Sequence, residues 1–202
     1  MLRRRRWLGV GVLAMAVMGG AFVFFHYIET YHLLTVREGV LYRDGNRGIR
    51  EFRTAVRRVR PKTVVMLVSD AEIALPDKPQ FTQEMAHLKE RGIRLVRIPM
   101  LWGTAPSTEQ ARSFLQIVED PANQPVLVHC SQGMVRTGMM VAAYQESVLG
   151  WDDEKVEREM ARFGRTGDAV RAIRDFIHRY DGPVRAVRPA TAPAATAASH
   201  LE

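Results

Sequence analysis

The apolar positions of this 202-residue chain follow two patterns that take turns along residues 40–180. The continuous apolar run at 63–68 predicts a strand buried on both faces, and short strands are also predicted at 94–98 and from 126. Between them, apolar residues recur at spacings of three and four, as on one side of a helix. These positions are Ile49, Phe52, Val56 and Val59; Phe81, Met85 and Leu88; and Ala111, Phe114, Leu115 and Val118. The alternation predicts an α/β fold with a mainly parallel central sheet flanked by helices.

Polar residues and glycines mark where these helices begin and end. Asn46 is predicted to cap the first helix, and Ser107, with Gln110 three residues later, forms a capping box before the third. A buried helix is predicted after residue 138, ending near Gly150. Two more helices follow, with apolar positions at Val156, Met160 and Phe163, and at Val170, Ile173, Phe176, Ile177 and Tyr180.

The N-terminus carries four arginines at 3–6, followed by an uncharged run at 7–28. A helix of about 20 apolar residues spans a bilayer, so residues 7–28 are predicted to be a membrane anchor. A cleaved signal peptide is the alternative, because Gly19-Gly20-Ala21 resembles a cleavage site. The predicted organisation is a cytoplasmic basic segment at 1–6, the anchor at 7–28, a catalytic domain at 29–182 and a disordered tail rich in Ala, Thr and Pro at 183–202. In a bacterium this predicts a single-pass inner-membrane protein whose catalytic domain is periplasmic.

The formal net charge of +7 is concentrated at the two ends of the chain. The four N-terminal arginines and one net charge in the tail account for most of it, which leaves +2 for residues 29–182. So small a charge argues against a nucleic-acid partner. The single cysteine excludes an internal disulfide bond.

The cysteine lies in the stretch at 126–138 that carries the most chemical information. An apolar run leads into Cys130, a turn containing Gly133 follows, and an apolar segment begins after Arg136, which predicts strand, loop and helix N-terminus. Loop amides, the helix dipole and the Arg136 guanidinium would converge on one phosphate group. A thiol in such a field ionises more readily, so Cys130 is predicted to be a nucleophile.

These residues resemble the His-Cys-x5-Arg-Thr signature of the cysteine-dependent protein tyrosine phosphatase superfamily, in its bacterial dual-specificity-like branch. The resemblance covers roughly residues 36–180 and implies phosphoryl transfer to Cys130 followed by hydrolysis. It also implies roles for Arg136 in gripping the phosphate, for Thr137 in stabilising the departing thiolate and for His129 in bracing the loop. Phosphate would be bound by the loop positions Ser131, Gln132, Gly133, Met134 and Val135 together with Arg136. The alternative is an ordinary buried cysteine beside a solvated arginine, which requires neither this spacing nor this context.

The chain departs from the family where a general acid is expected. Most members carry an aspartate on the loop that here reads 100–105, Met-Leu-Trp-Gly-Thr-Ala, and some bacterial relatives carry one at the position of Val135. Asp70, Glu72 and Glu109 are therefore candidate surrogate acids, although a surface or capping role is the simpler interpretation of each. Trp102 could line the mouth of the pocket or serve in packing.

We therefore predict a phosphatase for phosphate monoesters, with phosphotyrosine-like aryl phosphates favoured because they leave readily without a proton donor. Lipid or sugar phosphates and pyrophosphate-type leaving groups are alternatives, as is a phosphate-binding protein without catalytic activity. Multiply phosphorylated inositides are disfavoured because positions 131–135 carry no cation. The predicted partners are a phosphorylated substrate and, through the anchor, a membrane; no cofactor and no metal are predicted.

Overall fold

A computed structural model describes residues 15–20, 32–161 and 167–180. Five strands lie within this part of the chain: β1 (Leu34–Arg37), β2 (Leu41–Gly45), β3 (Thr63–Met66), β4 (Arg94–Arg97) and β5 (Val126–Cys130). The helices that follow residue 32 are α1 (Ile49–Val59), α2 (Asp70–Ile73), α3 (Gln80–Glu90), α4 (Thr108–Glu119), α5 (Val135–Ser147), α6 (Asp153–Ala161) and α7 (Gly167–Arg179). A 3-10 turn, Pro121–Asn123, leads from α4 towards β5.

The strands form one sheet in the order β1-β2-β5-β3-β4. All neighbouring pairs are parallel except β1 and β2, which are antiparallel. The sheet is therefore mixed but mainly parallel, as predicted. Strand β5 lies at its centre, between β2 and β3, so the loop after Cys130 opens at the carboxyl edge of three adjacent parallel strands, where ligands of such sheets bind.

Alternate residues of β5 pack against different groups of helices, because successive side chains of a strand point to opposite faces. Val126 and Val128 belong to the larger core cluster, to which α4, α5, α6 and α7 contribute. Leu127 belongs to a second cluster with Phe52 of α1 and Leu88 of α3. Burial on both faces explains why the sequence of β5 reads as a continuous apolar run.

The structure confirms one predicted helix cap and corrects the other. The Ser107–Gln110 capping box is present at the start of α4. In α1, however, Gly48 is the N-cap and makes no side-chain cap bond. Asn46 is instead fully buried and donates its side-chain amide to Glu84 (2.5 Å). A buried amide needs a partner, and an adjacent carboxylate offers a stronger one than a helix end in contact with solvent.

The predicted membrane anchor is not supported by the structure. Of residues 7–28, only 15–20 belong to the described part of the chain, and these are helical. Within the described ranges, no helix combines the length and the apolar character that crossing a bilayer requires. The prediction of a single-pass inner-membrane protein with a periplasmic domain is contradicted by this finding. The basic segment at 1–6, the predicted tail at 183–202 and Phe163 lie outside the described residues.

Candidate active site

The loop that follows β5 forms a cup above the end of the sheet. Strand β5 ends at Cys130, α5 begins at Val135, and four residues connect them. Cys130 is only 3% exposed and lies at the bottom of this cup. The strand, loop and helix predicted from the sequence are all present.

The carbonyl groups of this loop point outwards because groups outside the cup bind them. The Cys130 carbonyl oxygen accepts a hydrogen bond from the backbone N–H of Asn46 (3.1 Å). The Gln132 carbonyl oxygen lies 2.7 Å from His32 Nδ1. The Gly133 carbonyl oxygen accepts from the Arg43 guanidinium (2.6 Å). In a planar trans peptide the next N–H points away from the carbonyl. The amides that follow these carbonyls are therefore directed inwards, and the Gly133 amide donates to Cys130 Sγ (3.2 Å). Converging amides of this kind bind anions.

Two glycines allow the loop to pack closely against the end of β2. Gly133 has φ +69°, and a Cβ atom there would lie 2.5 Å from the Asp44 carbonyl oxygen. A Cβ atom on Gly45 would lie 2.6 Å from the carbonyl oxygen of Gln132. Neither position has room for a side chain, and the dihedral angle of Gly133 also favours glycine.

The surroundings of Cys130 favour the thiolate. Burial alone would raise the pKa of its thiol, but the Arg136 charge and hydrogen bonds from Thr137 and the Gly133 amide lower it below its ordinary value. Thr137 is fully buried on the first turn of α5. Apart from burial, each of these neighbours favours the ionised form of the cysteine.

Arg136 is held in place by the carboxylate of Glu72. Both Glu72 oxygens accept hydrogen bonds from the guanidinium, one from Nη1 and the other from Nη2 (2.9 Å). Nη1 also donates to the carbonyl oxygen of Met100 (3.1 Å). Because arginine has more N–H donors than these acceptors use, donors remain for an anion in the cup.

The cup opens into a pocket lined by Glu72, Lys78, Trp102, Cys130, Ser131, Gln132, Val135 and Arg136. A family model described as "DSP-PTPase phosphatase fused to NAD+ Kinase" matches residues 62–178, which is more than half of the chain and includes the whole loop. The chain belongs to this family.

Individual relatives support membership of the DSP-PTPase family. The chain is 28% identical to inositol diphosphatase SIW14 of Saccharomyces cerevisiae over 148 residues, covering 71% of this chain and 49% of that protein. It is 29% identical to the dual specificity protein phosphatase TpbA of Pseudomonas aeruginosa over 109 residues, covering 54% and 44%. The chain thus spans about half the length of these relatives. The crystal structure of the SIW14 core catalytic domain superposes with a TM-score of 0.62 at 26% identity, covering 74% of this chain and 85% of that one.

Of the three candidate acids, the structure brings only Glu72 to the DSP-PTPase pocket. Partial burial would raise the pKa of Glu72, but hydrogen bonds and charge from Arg136 lower it below its usual range. The Asp70 side chain is 77% exposed and pairs with Arg97 (2.6 Å). Glu109 lies on the surface of α4, where it pairs with Arg112 (2.8 Å). Trp102 is 80% exposed at the pocket mouth, so it does not serve in packing.

His129 belongs to a buried polar cluster behind the loop. Its Nε2 atom lies 2.7 Å from the Glu84 carboxylate, and both side chains are inaccessible to solvent. Its Nδ1 atom lies 3.2 Å from the carbonyl oxygen of Cys130. Burial would lower the pKa of His129, but Glu84, the Cys130 carbonyl and Asp44 raise it to about 9. The Glu84 carboxylate therefore favours the protonated form of the His129 ring, which lies behind the Cys130 carbonyl.

Three buried charged residues near the loop were not identified from the sequence: Arg43, Asp44 and Glu84. Arg43 and Asp44 follow the buried Leu41 and lie on a strand. Charged residues at strand positions that the pattern assigns to the interior are the signal that could have singled them out. Glu84 lies three residues after Phe81 and four before Leu88, so a carboxylate on the apolar side of α3 is the corresponding signal there.

The buried carboxyl group of Asp44 predicts a pH-dependent stability. Burial raises its pKa to about 8; His129 and the Gly45 amide act to lower it, and Glu84 to raise it further. In the unfolded chain the pKa of an aspartate is about 3.9. Between about pH 4 and pH 8 the folded state therefore holds a proton that the unfolded chain has released. The stabilisation is complete below about pH 4 and is lost as the pH rises towards 8. The isosteric Asp44→Asn variant, which cannot ionise, should lose less stability than wild type between about pH 5 and 8.

Urea unfolding of both proteins across this range tests the prediction. The expected difference in slope is at most about 1.4 kcal/mol per pH unit. Asp77→Asn, an exposed substitution, is the control and should follow wild type. Parallel curves for wild type and Asp44→Asn would show that Asp44 does not hold a proton in the folded state.

Proposed function

We propose that this chain is a cysteine-dependent phosphatase that transfers a phosphoryl group from its substrate to Cys130 and then hydrolyses the thiophosphate. The observation that carries the proposal is the cup itself, in which inward-pointing amides and an arginine surround a buried cysteine sulfur. A phosphoryl group placed there would have its oxygens near the loop amides and Arg136 and its phosphorus near Cys130 Sγ. The family match and the names of SIW14 and TpbA support the same chemistry.

Each residue of the signature has a proposed role that follows from its place. Cys130 attacks phosphorus, and Arg136 binds two phosphate oxygens as charge develops. The amides of residues 131–135 bind the remaining oxygens. The Thr137 hydroxyl stabilises the thiolate when it leaves in the second step, and His129 fixes the Cys130 carbonyl.

We infer that the preferred substrates have leaving groups that depart without receiving a proton. The loop at 100–105 is exposed except for Met100 and carries no ionisable side chain. Proton transfer to a leaving group is worth about 10²- to 10⁴-fold in rate, and a phenolate needs it far less than an alkoxide. Exposed Trp102 at the pocket mouth suits an aromatic leaving group.

A phosphoanhydride is the second candidate bond, because phosphate is also a good leaving group. Similarity to SIW14, an inositol diphosphatase, favours it. So does Lys78, which adds a positive charge to the pocket wall beside an Arg136 already paired with Glu72.

Initial rates with p-nitrophenyl phosphate, glycerol phosphate and an inositol diphosphate test this proposal. We expect vanadate-sensitive hydrolysis, with kcat/KM for the aryl ester at least about 100-fold above that for the alkyl ester. A higher kcat/KM for the inositol diphosphate than for the aryl ester would indicate that the substrate is a phosphoanhydride. Phosphate binding by calorimetry without turnover of any of the three would contradict the proposal and indicate a phosphate-binding protein instead.

We further expect that Glu72 orients Arg136 and does not act as the general acid. Glu72→Gln keeps the shape of the side chain but weakens the charged hydrogen bonds, which are worth about 1.5–3 kcal/mol each. We predict a fall in kcat/KM of about tenfold to 100-fold on p-nitrophenyl phosphate, with the basic limb of the pH–rate profile unchanged. Glu109→Gln, the exposed control, should match wild type. Loss of the basic limb in Glu72→Gln alone would instead identify Glu72 as the proton donor.

A further inference from the structure

A second arginine, Arg43, lies behind the loop on the side away from the pocket. It belongs to β2, opposite Val128 of β5, and is only 1% exposed. Its Nη2 atom donates to the Gly133 carbonyl oxygen at 2.6 Å and lies 3.5 Å from that of Met134, while Nη1 lies 3.5 Å from the Met160 sulfur. Arg43 therefore contacts the loop from inside the protein, whereas Arg136 faces the pocket.

Placing a guanidinium in the interior costs free energy, because the charge loses its hydration. Burial lowers the pKa of Arg43 to about 10, while the nearby Cys130 and Glu159 act to raise it. Arg43 therefore keeps its charge at neutral pH. An apolar residue would fill the same space without this cost, so the position of Arg43 requires an explanation other than packing.

The bond to Gly133 controls the orientation of one peptide plane. Gly133 has φ +69°, and the freedom of glycine makes the peptide after it the easiest in the loop to rotate. In the observed orientation its carbonyl points towards Arg43 and the Met134 N–H points the opposite way, towards the cup. If this peptide flipped, a carbonyl oxygen would face the Cys130 thiolate and any bound phosphate, and the cup would repel the anions it should bind.

We propose that Arg43 is a positioning residue, which locks the Gly133 peptide in the anion-binding orientation and places a buried positive charge behind Cys130. It acts through the loop and does not touch the substrate. The inference rests on the proposed function only in taking the cup to be a phosphate site.

The test compares Arg43→Met and Arg43→Lys with wild type in the full chain, using two measurements that require no turnover. The first is the dissociation constant for vanadate. The second is the pH dependence of Cys130 alkylation by iodoacetamide, which reports on one site because the chain has a single cysteine. Arg94 provides a control arginine. It lies on β4, at the edge of the sheet and away from the loop, and donates to the Asn123 side chain (2.6 Å).

In Arg43→Met we expect vanadate binding to weaken at least about tenfold, as for a lost charged hydrogen bond. The alkylation midpoint should move to higher pH by about one pH unit. Arg43→Lys keeps the charge but not the fork of donors. Its alkylation midpoint should stay close to that of wild type, and its vanadate affinity should lie between those of wild type and Arg43→Met. Arg94→Met and Arg94→Lys should match wild type in both measurements.

Vanadate affinity and an alkylation profile unchanged in a folded Arg43→Met protein would overturn the inference. If Arg43→Met does not fold, Arg43→Lys decides: vanadate affinity equal to that of Arg94→Lys would overturn the inference, and weaker affinity would support it. Failure of wild type to bind vanadate at all would instead count against the proposed function.

Discussion

Replacing Cys130 by serine is expected to lower kcat on p-nitrophenyl phosphate by roughly 10⁴-fold or more, as for loss of a catalytic nucleophile. Arg136, Thr137 and the Gly133 amide lower the pKa of the thiol below its ordinary value against the effect of burial. The same neighbours cannot ionise a serine hydroxyl, whose intrinsic acidity is far weaker. Initial rates at saturating substrate measure the loss.

The accompanying control separates chemistry from binding. Because the inward amides of Ser131, Gly133 and Met134 are unchanged by the substitution, Cys130→Ser should bind inorganic phosphate within a few-fold of wild type by calorimetry. Turnover equal to wild type in this variant would rule out Cys130 as the nucleophile. Loss of both turnover and phosphate binding would show that the substitution disrupts the loop.

Replacing Glu84 by glutamine is expected to destabilise the protein by about 3 kcal/mol at neutral pH, as when one partner of a buried ion pair is removed. Glu84 and His129 are both inaccessible to solvent and lie 2.7 Å apart. The carboxylate is the main reason that the pKa of His129 rises to about 9 against the effect of burial. Without it, the fold holds either an unpaired imidazolium or a histidine that has lost its proton.

The pH dependence of this loss identifies its cause. A raised histidine pKa stabilises the fold fully below about pH 6.5, and the stabilisation disappears as the pH rises through about 9. The difference in unfolding free energy between wild type and Glu84→Gln, measured in urea, should therefore narrow as the pH rises from about 6.5 to about 9. Glu90→Gln, exposed on the same helix, should change stability by less than about 0.5 kcal/mol. A Glu84→Gln protein as stable as Glu90→Gln would contradict the charged pair.

Local features of the site could be predicted from the sequence because each depends on a short stretch of chain. The apolar run of β5, the glycine turn and the apolar start of α5 are adjacent in sequence, so the pattern alone places Cys130 at the end of a strand and Arg136 on the first turn of a helix. The capping box of α4 is equally local, since Ser107 and Gln110 are three residues apart.

Contacts between distant segments could not be predicted in this way. Glu72 and Arg136 are 64 residues apart, and they meet only because β3 and β5 are neighbours in the sheet. The register of β2 against β5 likewise brings Arg43 next to Gly133. Such pairings depend on strand order, which hydrophobic periodicity does not encode.

Asn46 shows how a tertiary contact overrides a local preference. An asparagine before an apolar helical pattern is a frequent N-cap, but here Glu84 lies within the core and binds its side chain. Whether Asn46 caps the helix or binds a buried carboxylate depends on the position of Glu84 in the fold. The sequence around Asn46 does not indicate that Glu84 is its partner.

The most direct test of the central claim is a search for phosphorus on Cys130 during turnover. Rapid quenching of the full chain with p-nitrophenyl phosphate in acid, followed by mass spectrometry, should show a phosphoryl adduct on the peptide that contains this sulfur. The adduct should appear within one turnover and be absent in Cys130→Ser. Continued hydrolysis without an adduct on Cys130, or with phosphorus on another residue, would contradict the account.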